Sequence, residues 1–351
     1  MKRKFTLPLQ TGFAIVLLLL FSFQLTAQDI DNPGGYMTAI SSAERVMSKT
    51  YLDYISAVAH SGKARKVEKK RQQTLESIQN CKYKISDLPY YKGDNSLRKS
   101  SMEYIDMCYK VFNEDYAHIV NMEEIADQSI DGMQFYILTM EKTNEKLHDA
   151  FAKVEQAQKD FAAKYNVTIV DTKDRLSDNM EITSKVNHYK DQLYLIFFKC
   201  NWQDEQITKA INAKKITGIE ESRNALAAYA KEGLLALDSL DNFDGDHSLA
   251  QSCRQALMFY QKHAEVDLPR VTDFFLKEEA FNKLKKSMDI KGQDNLTKQD
   301  VDAYNKAVKD YNATINEYNQ LNNNVNTSKS QMINNWNNAN MQFMDAHIPR
   351  V

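Results

Sequence analysis

Glycine and proline are scarce: 351 residues hold 10 Gly and 5 Pro. Sandwiches, barrels and Rossmann units need glycine at many tight turns, and this chain does not supply them. Abundant Ala, Lys, Glu, Gln and Leu with long breaker-free stretches favours helix instead. Cysteine is nearly missing as well. Cys81, Cys108, Cys200 and Cys253 show no Cys-x-x-Cys spacing, which argues against structural zinc. Neither sign of charge dominates, with 45 basic and 47 acidic side chains, so there is no electrostatic footprint for nucleic acid. Gly-x-Ser-x-Gly, phosphate-loop and dinucleotide fingerprints are also lacking. The expectation is a protein that is not an enzyme and carries no cofactor.

Long apolar runs are limited to one, residues 13–23, in which Ser22 alone is polar. Eleven residues are too few to span a bilayer. Lys2, Arg3 and Lys4 precede the run and Leu25-Thr26-Ala27 follows it, the pattern of a cleavable secretory signal over residues 1–27. The expected product is exported, to the periplasm, the cell surface or the medium. With no cysteine beside the cleavage point, no lipid anchor at the N-terminus is expected. No second run reaches spanning length, so no transmembrane segment is expected in the mature chain. Loss of the three basic residues leaves 42 cations against 47 anions.

What is present is helical periodicity. After a polar leader over residues 28–35, a first helix carries Ile40, Val46, Met47, Tyr51, Tyr54, Ile55 and Val58. A second carries Val67, Leu75, Ile78, Cys81 and Ile85 and stops at Leu88-Pro89. Asp94 or Ser96 can cap a third, striped by Leu97, Ser101, Tyr104, Cys108, Phe112, Ile119, Met122 and Ile125. A fourth runs from the mid-130s to Tyr165, and Val167, Ile169 and Val170 mark an extended linker. The pattern then restarts with a fifth helix near 176–213 and a sixth carrying Ile219, Leu226, Leu234 and Leu237. A seventh runs from Leu249 past Leu284 with Pro269 inside it, and an eighth is capped by Thr297. An antiparallel hairpin turning at Gly93 brings Cys81 near Cys108. Export would permit a disulfide there; the plainer reading is two small buried hydrophobes.

The restart is an internal duplication. A shift of 152 positions places Leu88 on Leu240, Gly93 on Gly245, Asp94 on Asp246, Ser96 on Ser248, Leu97 on Leu249, Ser100 on Ser252 and Lys110 on Lys262. Glu68 and Arg71 fall on Glu220 and Arg223, and a shift of 153 pairs Tyr165-Asn166 with Tyr318-Asn319. Two amphipathic helices share apolar positions by chance; they do not readily share Gly-Asp-x-Ser-Leu at the same place in two hairpins. The eighth helix adds Tyr304-Asn305, Tyr311-Asn312 and Tyr318-Asn319, a seven-residue repeat that keeps one stripe against a partner helix, with Asn beside the seam.

The paired Gly-Asp-x-Ser-Leu hairpins, the Tyr-Asn heptads and the closing Trp336…Phe343…His347-x-Pro349 resemble the ErpY-like family of bacterial exported helical surface proteins. The resemblance covers most of the mature chain. It implies a location in the bacterial envelope or outside it, and it brings no activity and no catalytic residues.

Two patterns carry candidate chemistry. Di-metal bundles use Glu-x-x-His on facing helices; Glu145-x-x-His148 fits, and Asp115-x-x-His118 is a weaker version. The run Lys63, Arg65, Lys66, Lys69, Lys70 and Arg71, interrupted by Glu68, could meet anionic headgroups or acidic polysaccharide, or be a solvated helix face. His263, near the apolar stripe of its helix, reads as a satisfied core histidine. Together these give an all-α expectation: about eight long helices in a tandem duplication of an antiparallel four-helix unit. The first unit is expected over residues 36–172 and the second over 173–351. The expected function is a non-enzymatic binding or structural protein of the cell envelope, its partner an envelope or extracellular protein or glycan. The alternative is a metal or small-ligand carrier with a site inside one bundle.

Overall fold

The computed structural model of the protein describes residues 30–61, 63–115, 128–170 and 175–350. The expected signal over 1–27 and the stripe residues Ile119, Met122 and Ile125 lie outside the described residues. Every regular element among the described residues is helical, so the all-α expectation holds. The helices are α1 (Pro33–His60), α2 (Ala64–Ser86), α3 (Ser96–Lys110), α4 (Ile130–Lys164), α5 (Arg175–Asn212), α6 (Ile216–Ser239), α7 (Ser248–Lys262), α8 (Leu268–Lys291) and α9 (Lys298–His347). None is long and apolar enough to cross a membrane.

By contact the chain forms two compact units: one up to Gln192 together with 340–351, the other Leu193–Ala339. This division follows packing, whereas the repeat follows sequence similarity, and the two boundaries differ for that reason.

The first unit is built on local signals the sequence shows openly. Asn32 caps α1, its Oδ1 accepting from the Gly35 N–H at 2.6 Å, with Pro33 in the first turn, where a missing N–H costs nothing. Ser129 caps α4 by accepting from the Gly132 N–H. α4 ends in a left-handed residue, Asn166, with the Val167 N–H donating to the Ala162 carbonyl at 2.8 Å. The apolar stripes close on aromatic contacts. Tyr36, Tyr91, Phe161 and Tyr165 form one cluster, with Phe161 and Tyr165 centroids 4.6 Å apart, and Tyr51 and Tyr54 meet Phe112 edge-on. Val46, placed on the stripe by spacing, is 53 % exposed instead, because Met47 takes the core position beside it.

In the second unit the heptad tyrosines find their partner helix in α8. Phe274 and Phe281, themselves seven apart, stack on Tyr318 and Tyr311 at 4.2 and 4.6 Å. Asn305, Asn312 and Asn319 are exposed, so the aromatic ladder and not the asparagines sets the register. On α6 the core position is Gly233 and not Leu234, because Ile196 and Leu257 approach so closely that a Cβ there would sit 2.9 Å from each. At Pro269 the rod formed by α7 and α8 changes winding. A π stretch over His263–Asp267 lets the Leu268 N–H reach back to the His263 carbonyl just before the proline, which has no N–H to give.

The duplication is visible within each unit. α3 and α7 begin and end 152 residues apart, as do the π stretches Val111–Asp115 and His263–Asp267 and the starts of α2 and α6. Lys92-Gly93 and Asp244-Gly245 share the left-handed conformation. Tyr91 pairs with Asp94 as Phe243 does with Asp246. Asp94 and Asp246 each accept the N–H two residues on, at 2.9 and 2.7 Å. Glu68–Arg71 at 2.8 Å matches Glu220–Arg223 at 2.6 Å. The 153-shifted Tyr-Asn pairs have no such echo: Tyr165-Asn166 ends α4, whereas Tyr318-Asn319 lies inside α9.

Gly93 has a φ of +82° and open space where a Cβ would go, so its role is conformational. Gly93→Ala should therefore cost about 1 kcal/mol, the usual penalty for an L-residue there. Urea unfolding of the variant would show this, and an unchanged midpoint would refute it.

Candidate functional site

Because each repeat builds the same hairpins, one serves as an internal control for the other. A polar residue buried where its counterpart is apolar is not demanded by the fold. Among the described residues, two places put an ionisable group there.

The first is in the first unit. Glu44 on α1 is fully buried, and its 152-shifted counterpart is Ile196. Neither carboxylate oxygen has a hydrogen-bond partner. Burial pushes its pKa up to about 7, opposed by the nearby Ser101 hydroxyl, although no hydrogen bond of normal length joins them. The Ser101 and Tyr104 hydroxyls are buried and unpaired too. Cys81 and Cys108 complete the cluster as free, buried thiols. Burial drives both thiols upward, Cys108 to about 12, with the Glu44 charge adding to the rise. Protonated thiols are poor nucleophiles, so these two are packing groups, as the plainer sequence reading held. The pattern is reciprocal: Cys81 stands where Gly233 does, beside Glu44 where Gly233 is beside Ile196.

The second place is in the second unit, where the π stretch opens. His263 is buried with Nε2 3.6 Å from Asp204 Oδ1 and Nδ1 3.5 Å from Asp267 Oδ2. Asp204 and Asp267 are 3 % and 6 % exposed at the side chain. Lys329 from α9 forms an ion pair with the other Asp204 oxygen, and Lys262 reaches Asp267 at 3.4 Å. Phe259 stacks on the imidazole nearly parallel. Tyr260 donates to Asn201 at 3.0 Å, its hydroxyl proton retained because burial disfavours the phenolate. The repeat counterparts of Asp204 and His263 are Leu52 and Val111, both buried. His263 is thus a core residue as expected, yet its Nδ1 makes no hydrogen bond and the ring lies between two carboxylates. Those carboxylates face opposite ring nitrogens and do not converge on one point, as metal ligation requires. Among the described residues no group of three or more His, Cys, Asp and Glu side chains has a geometry that could hold a metal ion.

The sequence-derived metal candidates are not brought together. Glu145 and His148 are both exposed on α4, flanking the buried Leu147. Asp115 ends the π stretch after α3, and His118 lies outside the described residues. Asp94, the repeated-motif acid, is consumed by structure: it accepts from Lys164 at 2.7 Å, from Ser96 and from Tyr165, and the Lys164 bond holds its carboxyl well below the usual range.

Two surface grooves lie along the repeated helix. One runs between α3 and α4, lined by Ser100, Glu103, Lys146, Asp149 and Lys153. The other runs between α7 and α9, lined by Ser252, Gln255, Ser328, Gln331 and Asn335. Ser100 and Glu103 fall on Ser252 and Gln255 under the repeat shift, so both grooves sit on the same face of the repeated helix. The chain matches no protein-family description, no curated protein and no solved structure.

Proposed function

We propose that this chain is a non-enzymatic binding or structural protein of the bacterial cell envelope that presents helix faces to its partner. The observation that carries the reading is a groove along the repeated helix in each copy: the α3 and α7 walls correspond, whereas the opposite walls come from non-corresponding stretches, charged in the first and of amides, a hydroxyl and Met332 in the second. A groove retained on the same helix of both copies but re-lined in each is what two related contact surfaces look like. The secretory pattern of residues 1–27 and the resemblance to exported helical surface proteins support the location.

The test is co-sedimentation of the purified mature chain with isolated envelope fractions. Ser100→Trp and Ser252→Trp fill the grooves from their own helices. Retention of the wild type, with loss of more than tenfold in the double variant at unchanged thermal stability, is the expected result. Equal retention of both, or none of either, would sink the reading.

One observation favours a second reading, a carrier with a site inside a bundle: Glu44, Ser101 and Tyr104 leave unpaired polar atoms in the first unit's core. Native mass spectrometry with elemental analysis separates the two. A stoichiometric metal or small molecule, lost in Glu44→Gln, would favour the carrier.

A further inference from the structure

The start of α2 is cationic in a way the fold does not require. Lys63, Arg65, Lys66, Lys69, Lys70 and Arg71 stand against one acid, Glu68. Lys70 is tied to Asp53 at 2.7 Å and Arg71 to Glu68 at 2.8 Å. Lys63, Arg65, Lys66 and Lys69 are exposed and form no ion pair among the described residues. In the second repeat the matching positions at the start of α6 are Lys215, Thr217, Gly218 and Glu221, so the same hairpin forms with one of the four cations and an acid in place of another.

The placement also works against the helix. α2 has no acid in its first turn, and its N-cap, Lys63, makes no side-chain cap bond. Cations at the positive end of a helix dipole are unfavourable. A feature that destabilises its own helix, is reduced to one lysine in the copy and sits in a protein of net negative charge calls for an external anion to offset it. A helix rises 1.5 Å per residue, so the four unpaired cations span roughly 9 Å along one side of α2, a length comparable with the Debye length of about 8–10 Å at physiological salt. They therefore act together on a polymer that carries its own charges in line.

We propose that this face of α2 binds a linear anionic polysaccharide. This rests on the envelope-binding reading and names a partner class for it. A bilayer fits less well. The only aliphatic side chain larger than alanine over residues 63–73 is Val67, which is buried, so nothing on this face can enter the acyl region as a second membrane signal.

The test uses the full mature chain against immobilised polygalacturonate and against phosphatidylglycerol vesicles, over a series of salt concentrations. Arg65→Thr with Lys69→Glu installs the second repeat's own residues, which α6 shows to be compatible with this hairpin. Binding to the polyuronate that weakens steeply with salt and falls at least tenfold in the variant, at a melting temperature no lower than the wild type's, supports the proposal. Equal binding by variant and wild type, or tighter binding to the vesicles, overturns it. If the variant still co-sediments with envelope fractions while the groove double variant does not, the polysaccharide assignment alone falls and the envelope reading stands.

Discussion

Glu44→Gln should remove most of the pH dependence of stability that its unit shows between pH 4.5 and 7. The folded-state pKa of Glu44 is raised by burial from 4.5 to about 7. Between those values the native protein holds a proton that the unfolded chain has lost. The stabilisation is therefore fully present below pH 4.5, declines as pH rises and is gone above about 7. A shift of this size corresponds to about 3 kcal/mol at 1.36 kcal/mol per unit. For a unit of this length that is roughly 6–12 °C in melting temperature. Glutamine keeps the shape and cannot ionise, so it should match the wild type at pH 4 and exceed it at pH 8. Isoleucine, the second repeat's choice, is the less clean probe. Ile196 sits against Gly233, where a Cβ would come within 2.9 Å of it, while Glu44 faces Cys81. Glu44→Ile should accordingly need Cys81→Gly to reach its full effect. Parallel stability–pH curves for wild type and Glu44→Gln would show that water or a counter-ion already reaches the carboxyl.

The elements were legible because their signals are local and redundant. Asn32-Pro33 and Ser129 announce helix starts, Gly93 and Gly245 announce turns, and the three-and-four spacing of residues such as Leu97, Tyr104 and Cys108 draws the buried stripe. The gap-free shift of 152 also carried over into structure, down to two π stretches that no periodicity argument would place. What escaped was the content of the cores. Glu44, Asp204 and Asp267 carry no local sign of burial, because a charged residue beside an amphipathic stripe usually faces solvent. Lys329 lies 125 residues from its partner Asp204, a separation at which spacing says nothing. The usable signal was in the alignment of the repeats: Glu44 over Ile196, Leu52 over Asp204 and Val111 over His263 set charge against hydrocarbon at single positions. The metal candidates failed to converge for the opposite reason. Glu145 and His148 satisfy a spacing rule on one helix, and the rule is silent about which face of the helix they occupy.

Lys329→Met should cost the second unit about 3–5 kcal/mol, the usual result of removing one partner from a buried ion pair. Asp204 is the partner left behind. Its side chain is 3 % exposed, and its remaining neighbour, His263, also faces Asp267. Lys329 is 25 % exposed and can turn its ammonium to water, so Asp204→Leu should cost much less, on the order of 1 kcal/mol. Leu52 occupies the matching position of the first repeat and is buried, which shows that this site accepts an aliphatic side chain. The double variant should then resemble Asp204→Leu alone, giving a coupling energy of at least ~2 kcal/mol in a double-mutant cycle. The imbalance between the two single variants is the informative quantity. It arises because burial falls on the carboxylate, 3 % exposed, and not on the amine, 25 % exposed. Equal losses for the two variants, or additive ones, would mean that solvent already screens Asp204. The His263 cluster would then be a set of surface ion pairs and not a buried one.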